Sequence, residues 1–322
     1  MKNIKVEIVT PVFNRRELTL QWLRSLDRID RTGLDIHIII LDAASTDGTA
    51  DAVRESYPDV EIIQGSSDLW YTAGTNRAIE AAMECSPDYI LACNNDSIFE
   101  ASCILRMVKC AEAHSRSVIG AVLLNWESPH KVFQLAPRWE LMKGGMRHWL
   151  HQTVFTIPPR PFEVELIVGN CVLYPAAAIR EAGLMDEKRL IQYGDAEYTP
   201  RMRRLGWKLL IEPKARVFCL PNDPPPSFMP LPFKEKLKML FINSGRAHSL
   251  HRRFYTNFFG APNKFQGALA FPVFYLRYFL GRNMEGQYGL RAAERPLSET
   301  LEKAVVEPDR DVPEVLEDTE RG

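Results

Sequence analysis

The 322-residue chain is 46% hydrophobic and 25% charged, the proportions of a soluble globular protein with one large core or two modest ones. A formal net charge of -1 argues against a general nucleic-acid binder, which carries a basic excess. The six cysteines are scattered without a CxxC pair, the start runs straight into a strand pattern, and no apolar run reaches the ~18–20 residues of a membrane span. These features lead to the expectation of reduced, buried thiols in a cytoplasmic chain.

In chain order, "IKVEIVTPVF" alternates and then turns apolar, as a first strand does. Asn14, with Glu17 three residues on, reads as a capping box opening a helix through "LTLQWLRSL". "LDIHIIILD" is a β-branched run suited to a strand buried on both faces. "STDGTADAVRES" reads as a capped turn entering a helix, "VEIIQ" as a strand, "AGTNRAIEAAMEC" as a helix and "DYILACNND" as a fourth strand. This β-α-β-α-β-α-β order predicts a parallel sheet with helices on both faces.

Beyond Val118 the rhythm loosens. "VIGAVLLN" and "VELIVGNCVLYP" read as strands, and the stretch from Trp139 to Trp149 carries no assignment. A helix is expected from Ala196 to Leu205, followed by a strand at "WKLLIEP". The proline-rich "LPNDPPPSFMPLP" marks a linker, residues 221–232. From Phe233 to Ala293 about ten Lys and Arg face two acids in a helical, aromatic segment; from Glu294 to residue 322 about ten acids face four bases. That acidic tail has too few large apolar groups to offset its ordering entropy, the composition of a disordered segment.

Chemistry-bearing side chains gather where strands end. Neither GxGxxG nor a P-loop follows the first strand. Instead Asp42 ends the second strand, Asp68 follows the third, Asn94, Asn95 and Asp96 end the fourth, and Asp195 opens a later helix. A parallel sheet puts such ends on one rim, where ligands bind. Gathered carboxylates there are expected to need a compensating cation.

Five segments then stand in a telling order: "TPVFNRRE", "LDAASTDGT", "DLWYTAGTNRAI", "NNDS" and "YGDAEYTPRMRRLGW". Together they resemble family 2 glycosyltransferases of the GT-A fold, most of all the rhamnosyl- and galactofuranosyl-type enzymes of cell-surface polysaccharide synthesis. The resemblance covers about residues 4 to 219. It implies a Rossmann-like, mostly parallel α/β catalytic domain over residues 1–220, with a nucleotide-binding half over 1–117 and an acceptor half over 118–220; the helical extension over 233–293 is read from its residue spacing and matches the family only loosely.

The resemblance also implies roles. "NND" stands for the family's DXD motif, so Asp96 would ligate Mg2+ or Mn2+, while Asn94 and Asn95 would face the nucleotide sugar. Thr10, Pro11 and Asp42 match the positions that hold the base. A carboxylate at 42 suits the imide N–H of uracil or thymine, favouring a UDP- or dTDP-sugar. Asp68, Asn76 and Arg77 match donor-side contacts. Asp195 aligns with the catalytic base of an inverting transfer, and Gly169, Asn170 and Glu197 with the acceptor pocket. The implied acceptor is a saccharide or a polyprenyl-linked glycan.

Departures are visible too. Ala43, Ala44 and Gly194 replace usual acids or glycine, and "ARVFCLPND" lacks the His that many relatives place there, with Cys219, Asn222 or Asp223 as its only polar substitutes. A catalytically silent binding subunit is therefore an alternative reading, and a nucleotidyltransferase a weaker one. The pairs His148/His151 and His248/His251 lack a third ligand at usable spacing. The basic, aromatic 233–293 segment suits either an anionic membrane face, making the chain peripheral, or packing against the core.

Overall fold

A computed structural model describes residues 3–135, 138–147, 149, 152–220, 231–242 and 249–280. Its first half follows the expected alternation: β1 (Ile4–Val12), α1 (Arg16–Leu26), β2 (Leu34–Asp42), α2 (Thr49–Ser56), β3 (Glu61–Gln64), α3 (Tyr71–Glu84) and β4 (Tyr89–Cys93). Then come β5 (Ser97–Phe99), α4 (Cys103–Ala113), β6 (Ser117–Asn125), β7 (Ser128–Gln134), β8 (Arg138–Glu140), β9 (Gly145–Arg147) and β10 (Phe162–Glu163). The chain continues through β11 (Cys171–Pro175), α5 (Ala176–Ala182), α6 (Asp195–Arg204), β12 (Lys208–Cys219), α7 (Phe233–Phe241), α8 (Leu250–Gly260) and α9 (Lys264–Phe279).

The main sheet has the order β10-β12-β6-β11-β4-β1-β2-β3, with β5 added to β12 and β7 to β6. The β4-β1-β2-β3 pairs and the β6-β12 pair are parallel. Between the two groups β11 runs antiparallel to both β4 and β6. Successive strand side chains point to opposite faces, and both faces are covered. Val6, Ile8 and Leu91 meet Trp22 and Leu26 of α1 and Met107 of α4. Val9, Ile39 and Ile90 meet Ile79 of α3 with Tyr198 and Met202 of α6. Burial on both sides is why β1, β2 and β4 read as apolar runs.

Local readings are corrected at three places. Asn14 does not cap α1: its Oδ1 accepts the Thr46 N–H at 2.7 Å, and the Arg16 N–H goes to Asp47 at 3.0 Å. A cross-loop tie between the β1 and β2 ends has replaced the helix cap. Residues 164–170 are not strand, and only Cys171–Pro175 of "VELIVGNCVLYP" pairs in the sheet. The Val164 N–H is taken by the Leu209 carbonyl at 2.9 Å and the Ile167 N–H by the Thr199 hydroxyl at 3.1 Å, so burial is achieved without a ladder. Helix α4 adds an element between β5 and β6 that the alternation expected from the sequence does not include.

The C-terminal helices rest on the core. Gly260 lies so close to α6 that a Cβ there would stand 2.7 Å from the Ala196 carbonyl oxygen. Arg204 donates to the carbonyls of Phe259 and Ala261 at 2.7 and 3.2 Å. Met239 of α7 and Tyr275 of α9 form a small core of their own with Phe271 and Leu240 packed around it. The linker residues 221–230, with Asn222 and Asp223, the residues His148, His151 and His248, and everything from 281 onward, including the acidic tail, lie outside the described residues. Among the described residues no helix is long and apolar enough to cross a membrane.

Candidate active site

Asp195 is the first residue of α6, and its carboxylate is set by backbone rather than by a side-chain cation. Oδ2 accepts the Gly169 N–H at 2.9 Å. The Gly169 carbonyl in turn accepts the Tyr71 hydroxyl at 3.1 Å. A Cβ at Gly169 would stand 2.7 Å from the Asp195 Cβ and 2.8 Å from the Tyr71 oxygen, so this contact requires glycine. Thr72 locks the approach: its N–H reaches the Ile191 carbonyl, and its hydroxyl accepts the Gly194 N–H at 3.2 Å. Tyr193 is held at φ 66, and the Arg252 guanidinium lies 3.2 Å from its ring centroid.

Burial raises the proton affinity of Asp195 above the ordinary carboxylate range. The Gly169 N–H, the Arg252 charge and the helix's first N–H groups oppose that rise without cancelling it. Burial and the Asp195 charge push the neighbouring Tyr71 phenol far up, so it stays a protonated donor.

Asp96 follows β4 and is 7% exposed. Its Oδ2 accepts Arg15 Nη1 at 2.6 Å. The polar turn is stitched on both sides: the Asn94 N–H donates to the Asn170 carbonyl at 3.1 Å and the Leu220 N–H to the Asp96 carbonyl at 3.2 Å. Asn170 thereby joins the turn to the loop that carries Gly169. Asn95 turns inward, its amide donating to the Thr19 hydroxyl of α1 at 2.8 Å.

The other residues that the resemblance assigns to ligands have the following surroundings. Thr10 is fully buried with no hydrogen-bond partner for its hydroxyl among the described residues, and Pro11 packs under Gly74 of α3. Asp42 accepts the Ser45 N–H at 3.1 Å, and Asp68 accepts the Ser66 hydroxyl. Asn76 clamps the segment before α6: Oδ1 accepts the Met185 N–H at 3.0 Å, while Nδ2 donates to the Met185 carbonyl at 3.0 Å and to Glu187 at 2.9 Å. Arg77 pairs with Glu80 and Glu187, both at 3.1 Å. Glu197 is held by Arg201 at 2.6 Å, and Arg201 also braces the Ala182 and Leu184 carbonyls. Arg203 stands 3.6 Å from Glu165. Cys219 is buried against the Ser97 hydroxyl, and His251 contacts the Arg189 carbonyl.

Each rim carboxylate thus has its own donor, and Asp96 and Asp195 both lie within electrostatic reach of the Tyr71 phenol. No three His, Cys, Asp or Glu side chains among the described residues stand close enough to hold a metal together. Asp96 offers one hard-oxygen carboxylate. That chemistry fits an ion of the Mg2+ or Mn2+ type held by one or two carboxylates and completed by substrate phosphates. Sequence reasoning missed Arg15, Tyr71 and Arg252. Arg15 and Tyr71 lie inside the quoted motifs, and their proximity to Asp96 and Asp195 depends on chain reversals no local pattern encodes.

Asn76 gives a stability prediction. Asn76→Ala strands the buried Met185 N–H and carbonyl, at about 1–3 kcal/mol for each unsatisfied group. Urea unfolding should show a loss of roughly 2–6 kcal/mol with an unchanged m value.

The model of the family "Glycosyl transferase family 2" matches residues 7–174, more than half of the chain. Over 203 residues the chain is 23% identical to an N-acetylglucosaminyl-diphospho-decaprenol L-rhamnosyltransferase of Mycobacterium tuberculosis. That match takes in 56% of this chain and 66% of the relative, so the chain spans just under two thirds of the relative's length. A mannosyltransferase from Pyrobaculum calidifontis in complex with GDP-Man and Mn2+ superposes with a TM-score of 0.51 at 14% identity, covering 94% of this chain and 80% of its own. S. aureus TarS in complex with UDP superposes at 0.52 and 12% identity, covering 86% and 72%. These likenesses show a shared fold, the mixed α/β architecture of GT-A glycosyltransferases. With the family model spanning the sheet from β1 to β11, the chain belongs to glycosyl transferase family 2.

Proposed function

We propose that the protein is an inverting, metal-dependent glycosyltransferase that moves a sugar from a nucleoside diphosphate donor to a saccharide or lipid-linked glycan acceptor in cell-surface polysaccharide synthesis. A UDP- or dTDP-sugar is the favoured donor. The observation that carries this reading is Asp195, a partly buried carboxylate of raised proton affinity, fixed on the Gly169 N–H at a helix start. A base of that kind is suited to take the proton of an acceptor hydroxyl as its oxygen attacks the anomeric carbon. The new C–O bond forms opposite the leaving group, and the diphosphate departs with the electron pair of the bond that breaks.

Asp96 would hold the divalent ion, which supplies charge neutralisation for the leaving diphosphate. Arg15, beside Asp96, carries a second positive charge to the same place. The Tyr71 phenol remains a donor that holds the Gly169 loop, and through it the base, in position. The Mycobacterium relative is named for a diphospho-decaprenol acceptor, which supports a lipid-linked acceptor for this chain.

The test is release of nucleoside diphosphate from a panel of UDP-, dTDP- and GDP-sugars with Mn2+ or Mg2+ and a polyprenyl-diphosphate-linked acceptor. Turnover with one donor is expected, and calorimetry in which no donor binds would overturn the proposal. The Arg15–Asp96 pair favours a second reading, a silent binding subunit. It predicts donor binding without turnover or donor hydrolysis in the same assays.

A further inference from the structure

The outer face of α9 is apolar along its length. Phe265 is 74% exposed, Leu269 42% and Leu276 62%. With Pro272, also exposed, they fall within an arc of about 60° on a helix of 3.6 residues per turn. After Lys264, every α9 position described as exposed is apolar. The opposite face, with Phe271 and Tyr275, is already used against α7 and α8. Helix α7 repeats the pattern, its exposed Phe233, Leu237 and Phe241 spaced four apart beside Lys234 and Lys238. Solvated helix faces are normally polar, so two such stripes on adjoining helices call for a partner.

Charge identifies its chemistry. The described residues from 231 to 280 hold seven Lys or Arg against one acid, Glu235. Arg252 and Arg253 stack on the Tyr193 and Phe274 rings, while Lys234, Lys238 and Lys264 are exposed beside the apolar stripes, the arrangement an interfacial helix presents to a bilayer of anionic lipid. A two-fold pairing of this chain with itself would set like charge against like charge.

We propose that α7 and α9 form a docking face for an anionic lipid bilayer surface, lying in the headgroup region without crossing it. The location suits the site. Helix α8 lies between α9 and α6, and its Arg252 reaches the Tyr193 ring two residues from Asp195. An acceptor held in that bilayer would meet the base across about one layer of helix, a point that rests on the proposed transfer, whereas the docking itself does not.

Flotation of the full chain with extruded vesicles tests it without nucleotide or acceptor, so failure here leaves the transfer reading standing. Binding is expected to vesicles of phosphatidylcholine with about one third phosphatidylglycerol and not to phosphatidylcholine alone. Binding should weaken at least about tenfold in 0.5 M salt and about tenfold or more in Leu269→Gln/Leu276→Gln. Both positions are exposed, and unchanged circular dichroism and thermal unfolding would show the variant folded. No flotation, equal flotation with neutral lipid, or flotation untouched by the variant overturns the proposal. A concentration-dependent dimer that the variant dissolves would assign the face to a second copy and overturn it. Vesicle binding that arises only in Glu314→Gln/Glu317→Gln/Asp318→Asn would give the face to the chain's own acidic tail and overturn it as well.

Discussion

Asp195→Asn should lower glycosyl transfer about 10²- to 10⁴-fold while donor affinity changes by less than about twofold. The amide has the shape of the carboxylate and still offers an oxygen to the Gly169 N–H, so the loop geometry is kept. What the amide loses is the ability to take up a proton, the step proposed for Asp195. The pH dependence follows from the direction of the shift. Burial lifts the proton affinity of Asp195, and a base works only when deprotonated. The transfer rate should therefore rise with pH through an apparent pKa above the ordinary value of about 3.9, and that limb should vanish in the variant.

Stability runs the other way. A carboxylate whose folded-state pKa is raised makes the folded chain bind more protons than the unfolded chain between the two values. Wild-type stability then falls as pH rises through that window, and Asp195→Asn should be the more stable protein at neutral pH. Equal loss of donor binding and turnover would remove Asp195 from the role of base.

The second large effect is expected at Asp96. Asp96→Ala removes the carboxylate proposed to hold the ion, and Mn2+-dependent donor binding should fall by at least about 100-fold. Arg15→Ala makes the opposite change in metal affinity. Arg15 occupies the carboxylate at 2.6 Å, yet its side chain is 44% exposed, so the pair is loosely held. A partly exposed ion pair is worth at most about 1 kcal/mol, so removing it should tighten Mn2+ binding by up to about fivefold. Turnover should nevertheless drop, because a positive charge near the diphosphate is lost. Titrating Mn2+ against both variants in the presence of UDP separates the cases. If Arg15→Ala weakens Mn2+, the guanidinium supports the ion instead of competing with it.

The strands of the first half were legible because burial on both faces leaves a continuous apolar record, as in Ile38, Ile39 and Ile40 of β2. Helix α6 was legible within one residue. Helix α4 was not assigned although Cys103, Ile104, Met107, Val108 and Ala111 repeat at helical spacing, because Cys and Met weigh lightly in an apolar pattern. Residues 164–170 misled in the opposite direction: Val164, Leu166 and Ile167 are buried, yet the Ile167 N–H is satisfied by the Thr199 hydroxyl of α6 and the segment forms no strand. Motif order singles out Asp96 and Asp195, the two residues on which the proposed site is built. The clamp made by Asn76 and the brace made by Arg201 were not legible, since their partners lie 109 residues away for Asn76 and 17–19 away for Arg201, across turns that only the folded chain defines.

The thiols carry a last consequence. Cys93, Cys103, Cys110, Cys171 and Cys219 are buried, and Cys85 is half-buried. Burial pushes Cys110 up to about 12 and raises Cys93, Cys171 and Cys219 well above the ordinary thiol value, so none of these presents a thiolate to solvent at neutral pH. Cys93 and Cys171 sit opposite each other where β4 meets the reversed strand β11, at the seam of the sheet. Covalent tagging by a maleimide, slow at these positions while the seam is shut, becomes a clock for its opening.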